Sequence, residues 1–444
     1  MQASLCHFWG YFRFMGIKHL LEAIHMHSET LLLAQHYLLA LFIIFLIGTL
    51  GGKLAEKLGL PDVAIFIVLG ILLGPSVLSL VDIHAESTMN QMILLFGACF
   101  IIFHGGVITS FEILQKVWRT ISLLSTLGVV ITAFIVAFAA MWIFNIPFLV
   151  ALLLGSILAS TDPAALVPIF QKFPIRRKVA QTVITESAFT DATGAIMTTV
   201  VFGLLFSSKD AGVFSIGFEF IQLALGGIIV GAIIGFVATF LISENDRGLL
   251  REFTPMVVVL AVLGSYLVAE QIHASGFMSV FVTGLMFGNA KSLRLTVLPK
   301  EEQAAHQFID AVSLKLRMLV FILLGSQVDF AALKQYGWLG LIVIAIFIFV
   351  ARPITVLASL LPDSKAKWTR PEVLFFFWTR ETGVIAAALA GIVASSGLAE
   401  GKLVSAIVFM AILVTLLLQA STTPFIARKL GLLESSSELK KGEQ

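Results

Sequence analysis

Carboxylates lie in the middle of apolar stretches long enough to cross a bilayer, and that combination leaves this chain few folds to adopt. Asp162 sits in Ser160-Thr161-Asp162-Pro163, and Glu186 and Asp191 bound the stretch Glu186-Ser187-Ala188-Phe189-Thr190-Asp191 in the next hydrophobic run. An acidic side chain at the centre of a membrane helix costs roughly 2.5–3.5 kcal/mol on insertion scales. Three of them in consecutive runs point to a shared ion or proton site.

The remaining sequence fits a membrane solvent. Of 444 residues, 58% are hydrophobic and only 13% charged, far from a soluble globular composition. With about 20 apolar residues per crossing, about thirteen spans are expected. They fall at 31–52, 62–80, 90–110, 118–144, 147–170, 178–207, 215–243, 252–270, 275–289, 305–325, 336–361, 371–396 and 402–428. The predicted fold class is an all-α polytopic membrane protein.

Loop charge sets the orientation. With the C-terminus in the cytoplasm, most of the 29 lysines and arginines fall in cytoplasmic loops, including Lys172, Arg176, Arg177 and Lys178 and the pair Arg428 and Lys429, as the positive-inside rule requires. The net charge of +2 reflects this bias and implies no nucleic-acid partner. Cys6 and Cys99 form no framework and are read as inert.

Residues 1–30 form a leader without a cleavage pattern, read as an interfacial helix or an over-extended start, with Met15 and Met26 as other initiators. The polar tail from Glu434 to Gln444 is read as disordered. Gly70 and Gly74 have the spacing of close helix packing. His104, before Gly105-Gly106, is read as a buried histidine with a satisfied ring, with a pH-responsive role as the alternative.

Pro163 has no amide hydrogen and clashes with the preceding turn, so the helix should break near Thr161-Asp162. Broken backbone at membrane depth is tolerated where it lines a cavity or is buried in protein, and its freed carbonyls can bind a cation. In the next span, Ser187, Asp191 and Gly194 share one helix face, and Glu186, Thr190 and Thr193 the neighbouring one. Glu186 and Asp191 then point about 140° apart at 100° per residue. Two jobs are indicated: Asp191 for an accessible site and Glu186 for a structural ion pair.

Cations recur later in the chain. Lys315 and Arg317 lie inside the tenth span about 200° apart, so one of them is expected to face a site carboxylate. Arg352, before Pro353, lies nearer the cytoplasmic end, within snorkelling reach of it, and is read as structural. Thr379-Arg380-Glu381-Thr382-Gly383 interrupts the twelfth span, and a buried Arg380 needs an acidic partner. Glu186 is the expected one, with Glu381 as the local competitor. The interrupted fifth span of the first six and the interrupted fifth span of the last six occupy matching positions in halves inserted in opposite senses. Such inverted six-helix repeats point to a transporter with a site near the midplane.

On Thr161-Asp162-Pro163, Glu186-Ser187 with Asp191, Arg380, and the segment from Arg317 to Leu323-Leu324-Gly325, the chain resembles monovalent cation/proton antiporters of the NhaP-like, sodium–proton exchanger type. The resemblance covers essentially the whole hydrophobic region. It implies an inverted-repeat fold in which the broken fifth and twelfth helices cross, and a homodimer in which a core domain moves against a dimerisation scaffold. The core would comprise about 90–207, 305–325 and 371–428, and the scaffold about 31–80, 215–289 and 336–361, within a 31–428 transmembrane domain followed by a 429–444 tail. Asp191 would be the cation- and proton-binding carboxylate. Asp162, Ser187, Glu186, Thr190 and the Thr161 backbone would help form the site, and Glu186 would pair with Arg380. Lys315, Arg317 and Glu381 would lie around them.

Three positions depart from that pattern. Thr190 stands where an asparagine is typical and where the electrogenic branch has a second aspartate; a hydroxyl adds no titrating charge, which favours electroneutral exchange. Glu381 replaces a small residue, and His104 stands where a glutamate before two glycines is frequent. The chemistry expected is competition of a proton and a cation for Asp191, either of which neutralises it for movement across the membrane. Sodium or lithium, or alternatively potassium, is the cation, and no cofactor is implied beyond the transported ions. Two other readings are a cation channel, disfavoured by the lack of a filter sequence, and an intramembrane aspartyl hydrolase using Asp162 and Asp191. The expected location is a bacterial inner membrane.

Overall fold

The computed structural model describes residues 31–58, 60–85, 87–206, 213–244 and 249–434. The 1–30 leader and Cys6 lie outside the described residues, as does the tail from 435 onward. The chain runs through α1 (Leu31–Leu58), α2 (Asp62–Leu73), α3 (Thr88–Ile108), α4 (Phe111–Ser125), α5 (Leu127–Phe144), α6 (Phe148–Ala159), α7 (Pro163–Lys172), α8 (Arg177–Phe206) and α9 (Val213–Ile242). It continues through α10 (Thr254–Gln271), α11 (Gly276–Gly288), α12 (Pro299–Ser326), α13 (Phe330–Ile346), α14 (Arg352–Leu360), α15 (Arg370–Trp378), α16 (Val384–Ser395), α17 (Gly401–Val414) and α18 (Ser421–Lys429).

Every predicted span falls on a helix or on two helices in series. Eight helices among the described residues are long and apolar enough to cross a membrane. The predicted spans at 62–80 and 275–289 contain helices of only 12 and 13 residues, α2 and α11. Both lie against longer helices with backbones close together. A Cβ on Gly70 of α2 would overlap the Ile322 carbonyl of α12, and one on Gly284 of α11 would overlap the Phe103 carbonyl of α3.

Helix ends follow local sequence. The Ser87 hydroxyl accepts from the Asn90 N–H to start α3, Asp329 accepts from Ala331 and Ala332 to start α13, and Thr369 with Glu372 forms a capping box on α15, each supplying an acceptor to an otherwise orphaned amide. Two wider π turns, Phe347–Ala351 and Thr415–Ala420, precede Pro353 and Pro424. A proline cannot bond the carbonyl four residues back, and a wider turn redistributes the acceptors.

The helices pack as two bundles. One contains α2, α3 and α9–α12; the other contains α4–α8 and α13–α18. Helices α3 and α12, placed with the moving core by the sequence reading, pack chiefly on α11 and α2 respectively. Glu434, the first residue of the tail read as disordered, is tied down. Its N–H donates to the Pro174 carbonyl at 2.7 Å and its carboxylate accepts from the Arg177 N–H at 2.9 Å.

Candidate functional site

The second bundle is built around two interrupted helices. Ser160, Thr161 and Asp162 separate α6 from α7, and α7 begins at Pro163, as the missing proline amide dictates. The second interruption, Thr379 to Gly383, separates α15 from α16. Where the two cross, each satisfies the other. The Asp162 N–H donates to the Glu381 carbonyl at 2.8 Å. The Asp162 carboxylate accepts from the Val384 N–H at 2.9 Å at the start of α16, and Arg380 donates to the Ala159 carbonyl at 2.9 Å at the end of α6. An anion thus caps the positive end of one half-helix, and a cation the negative end of the other. Gly383 is required here, because a Cβ would overlap the Asp162 carboxylate.

Asp191, on α8, is buried beside this crossing and accepts a hydrogen bond from the Ser160 hydroxyl at 2.5 Å. Asp162 is also buried. Thr161, in the first interruption, and Thr190, on α8, meet hydroxyl to hydroxyl, and Thr190 also donates to the Ser187 carbonyl at 3.0 Å. Asp191, Asp162, Thr161, Thr190 and Ser187 are therefore brought together. Their oxygens form a hard donor set suited to an alkali cation and, through the carboxylates, to a proton.

Glu186 faces elsewhere, and its expected partner needs correcting. It is bound by Arg352 rather than Arg380: one guanidinium nitrogen of Arg352 contacts one carboxylate oxygen, and the other nitrogen donates to the second oxygen at 3.0 Å. Arg352 also donates to the carbonyls of Phe376 and Thr379, each at 2.8 Å, at the end of α15. It does not snorkel, being 1% exposed. Arg380 instead lies over the Phe347 ring at 5.1 Å. Glu381 contributes its backbone carbonyl to the crossing, and its buried carboxylate has no hydrogen-bond partner from another residue among the described residues.

The tenth-span cations are also corrected. Lys315 is exposed, and Arg317 pairs with Asp62 of α2 at 3.6 Å, so neither faces Asp191. His104 is buried as expected, with its Nε2 3.2 Å from Asp310. One residue that sequence reasoning left without a role, Ser160, takes a direct part; it was visible in the polar interruption. Arg352 is structural as read, but nothing in the sequence gave Glu186 as its partner.

A cavity of 1060 Å³ opens between the bundles. It is lined by the start of α3 at Thr88, Gln91 and Met92, by the far end of α10 at Glu270, and by Ala195 and Thr199 of α8. Ala195 lies one helical turn, about 6 Å of rise, from Asp191.

Crossed half-helices that cap one another beside buried carboxylates, in a multi-pass helical protein, define an ion-translocating membrane protein of the discontinuous-helix class. Comparison with known proteins places it further: residues 41–429 match the family model described as sodium/hydrogen exchanger, transmembrane, and the chain belongs to that family. It is 30% identical over 416 residues to Na(+)/H(+) antiporter 1 of Methanocaldococcus jannaschii, covering 86% of this chain and 93% of that one. It is 29% identical over 400 residues to the K(+)/H(+) antiporter NhaP of Alkalimonas amylolytica, covering 89% of this chain and 67% of that protein. The solved structure of the sodium proton antiporter MjNhaP1 from Methanocaldococcus jannaschii at pH 8 superposes with a TM-score of 0.73 at 28% identity. It covers 89% of this chain and 99% of that one.

Proposed function

We propose that the protein exchanges sodium or lithium for protons across the membrane by alternating access, one charge for one charge. The carrying observation is the contrast between the two α8 carboxylates. Glu186 is consumed by Arg352, whereas the Asp191 carboxylate takes one hydrogen bond among the described residues, from Ser160, and lies beside unwound backbone. Asp191 is thereby left for ligands that bind and leave. Asp162, Thr161, Ser187 and Thr190 complete the cation's oxygen shell. Proton and cation exclude each other, because either neutralises the same carboxylate.

Thr190 beside Asp191 supplies no second titrating charge, which supports electroneutral exchange. Small hard cations suit carboxylate and hydroxyl oxygens. Potassium for protons is the second reading, favoured by the similarity to a K(+)/H(+) antiporter.

The packing supports a division into a moving core of α4–α8 and α13–α18 and a scaffold of α2, α3 and α9–α12. That assigns α3 and α12 to the scaffold. Packing pairs recur between helices of the two halves: α2 on α12 answers α11 on α3. This recurrence supports two inverted six-helix repeats. The protein acts as a homodimer in a plasma membrane with its C-terminus in the cytoplasm, the side of the Arg176–Lys178 and Arg428–Lys429 clusters.

The test is dye-reported proton release from acidified everted vesicles on adding sodium, lithium or potassium. Wild type and Asp191→Asn are compared, with and without a clamped membrane potential. Cation-driven release that the variant loses and the clamp leaves unchanged is the expected result. A variant matching wild type removes Asp191 from the mechanism, and potassium as the best substrate reverses the ion assignment.

A further inference from the structure

The two bundles are open to each other on one face and joined on the other. Along α8 the 1060 Å³ cavity is lined by Ala195, Ile196 and Thr199. In the opposite direction from Asp191, the same helix is sealed. Phe189 stacks edge-on against Phe281 of α11 with centroids 4.8 Å apart, and the Thr185 hydroxyl meets that of Thr109 at 3.5 Å. Beyond them lies the short link from α3 to α4, where the chain passes from one bundle to the other.

Two side-chain amides, one from each bundle, hold that link. From α8, Gln181 donates to the Ile108 carbonyl at 2.9 Å and accepts from the Ser110 N–H at 3.1 Å. Asn289, at the end of α11, donates to the Thr109 carbonyl at 2.8 Å and accepts from the Phe111 N–H at 3.0 Å. Four successive residues are thus gripped alternately from the two sides. These backbone groups sit at a helix end, where no intrahelical partner exists, so the two amides satisfy them only while the bundles stay together on this face.

We infer that this structure is the state in which Asp191 opens to the cavity at the start of α3, and that Gln181 and Asn289 form the clasp holding the opposite, lysine- and arginine-rich face shut. The inference rests on the exchange reading above and names the contacts that alternate access must break. When the clasp parts, the end of α3 moves away from α8, Phe189 leaves Phe281, and the site becomes accessible from the basic face while the cavity closes. Removing one amide deletes a hydrogen bond that crosses between the bundles, Gln181 to the end of α3 or Asn289 to the start of α4, which shifts the population toward the other state.

The test uses the full chain in a background of Cys6→Ser and Cys99→Ala, carrying either Thr199→Cys in the cavity wall or Thr185→Cys beside the clasp. Each is labelled with a membrane-impermeant maleimide in right-side-out and inside-out vesicles. With the clasp intact, Thr199→Cys labels rapidly from one face only and Thr185→Cys labels slowly from the other. Adding Gln181→Ala should raise labelling of Thr185→Cys about five-fold or more and lower that of Thr199→Cys. Asn289→Ala should act in the same direction and covers the case in which the first variant does not insert. Unchanged labelling at both positions, or a rise at both, overturns the inference. Proton movement in the same vesicles separates the two ideas: a wild type that moves no protons defeats the exchange reading, whereas exchange with labelling indifferent to Gln181 and Asn289 defeats only the clasp.

Discussion

Arg352 grips Glu186 with both terminal nitrogens of its guanidinium and, with the same group, caps the carbonyls of Phe376 and Thr379 where the second broken helix unwinds. One buried cation therefore fixes α8, which carries Asp191, to the interruption that crosses beside it. Removing either partner leaves an uncompensated charge, at 1% exposure for Arg352 and 2% for Glu186, which costs about 3–5 kcal/mol. Arg352→Ala and Glu186→Gln should each lower the thermal midpoint of the detergent-purified protein substantially and by similar amounts. The double variant should lose clearly less than the sum. Additive losses would mean that the pair is not a unit.

Arg380 should matter less for stability than Arg352. Among the described residues its side chain makes one hydrogen bond, to the Ala159 carbonyl, and its Nε has no partner. Arg380→Ala removes one cap and a cation–π contact but strands no paired carboxylate. Thermal midpoints of the two alanine variants, measured side by side, should place Arg380→Ala nearer to wild type. The reverse order would make Arg380 the anchor of the crossing.

Gly383 tests the crossing sterically. A methyl group there would sit within bonding distance of the Asp162 carboxylate, so either the carboxylate abandons the Val384 N–H or the two broken segments separate. Gly383→Ala should sharply reduce transport and lower the thermal midpoint by several degrees, as the loss of a charged cap worth about 1.5–3 kcal/mol predicts. Gly203→Ala, at a glycine with open space around it, is the control and should behave as wild type.

What could be read from the sequence was what depends on local chemistry. Pro163 places the first interruption because its missing amide acts within one turn, and the positions of Asp162 and Asp191 in apolar runs mark them at once. The angle between Glu186 and Asp191 on one helix needs only the helical period. The choice of Glu186's partner was not legible. Arg380 lay at the centre of its span and Arg352 nearer the cytoplasmic end of another, and the selection of Arg352 depends on how α14 leans on α15 after a π turn before Pro353. Arg317 illustrates the same limit: its spacing on α12 was visible, but its engagement with Asp62 follows from the close approach of α2 that Gly70 and Gly325 permit.

Ser160 offers the most direct probe of the ion site. Its hydroxyl donates to Asp191 at 2.5 Å, and its backbone packs against Gly194 on the same face of α8, so the serine fixes both the position and the orientation of the carboxylate. Ser160→Ala keeps the backbone and removes only that donor. A hydrogen bond to a charged group contributes about 1.5–3 kcal/mol, and each 1.4 kcal/mol is about ten-fold in an equilibrium constant. The variant should therefore insert and fold as wild type while the cation concentration giving half-maximal exchange rises about ten-fold. The maximal rate at saturating cation should change much less, since the carboxylate that carries the charge is retained. Titrating sodium in the everted-vesicle assay reads both quantities. An unchanged half-saturation would remove Ser160 from the ion site, and a loss of maximal rate without a shift in half-saturation would assign it to the movement of the core rather than to binding.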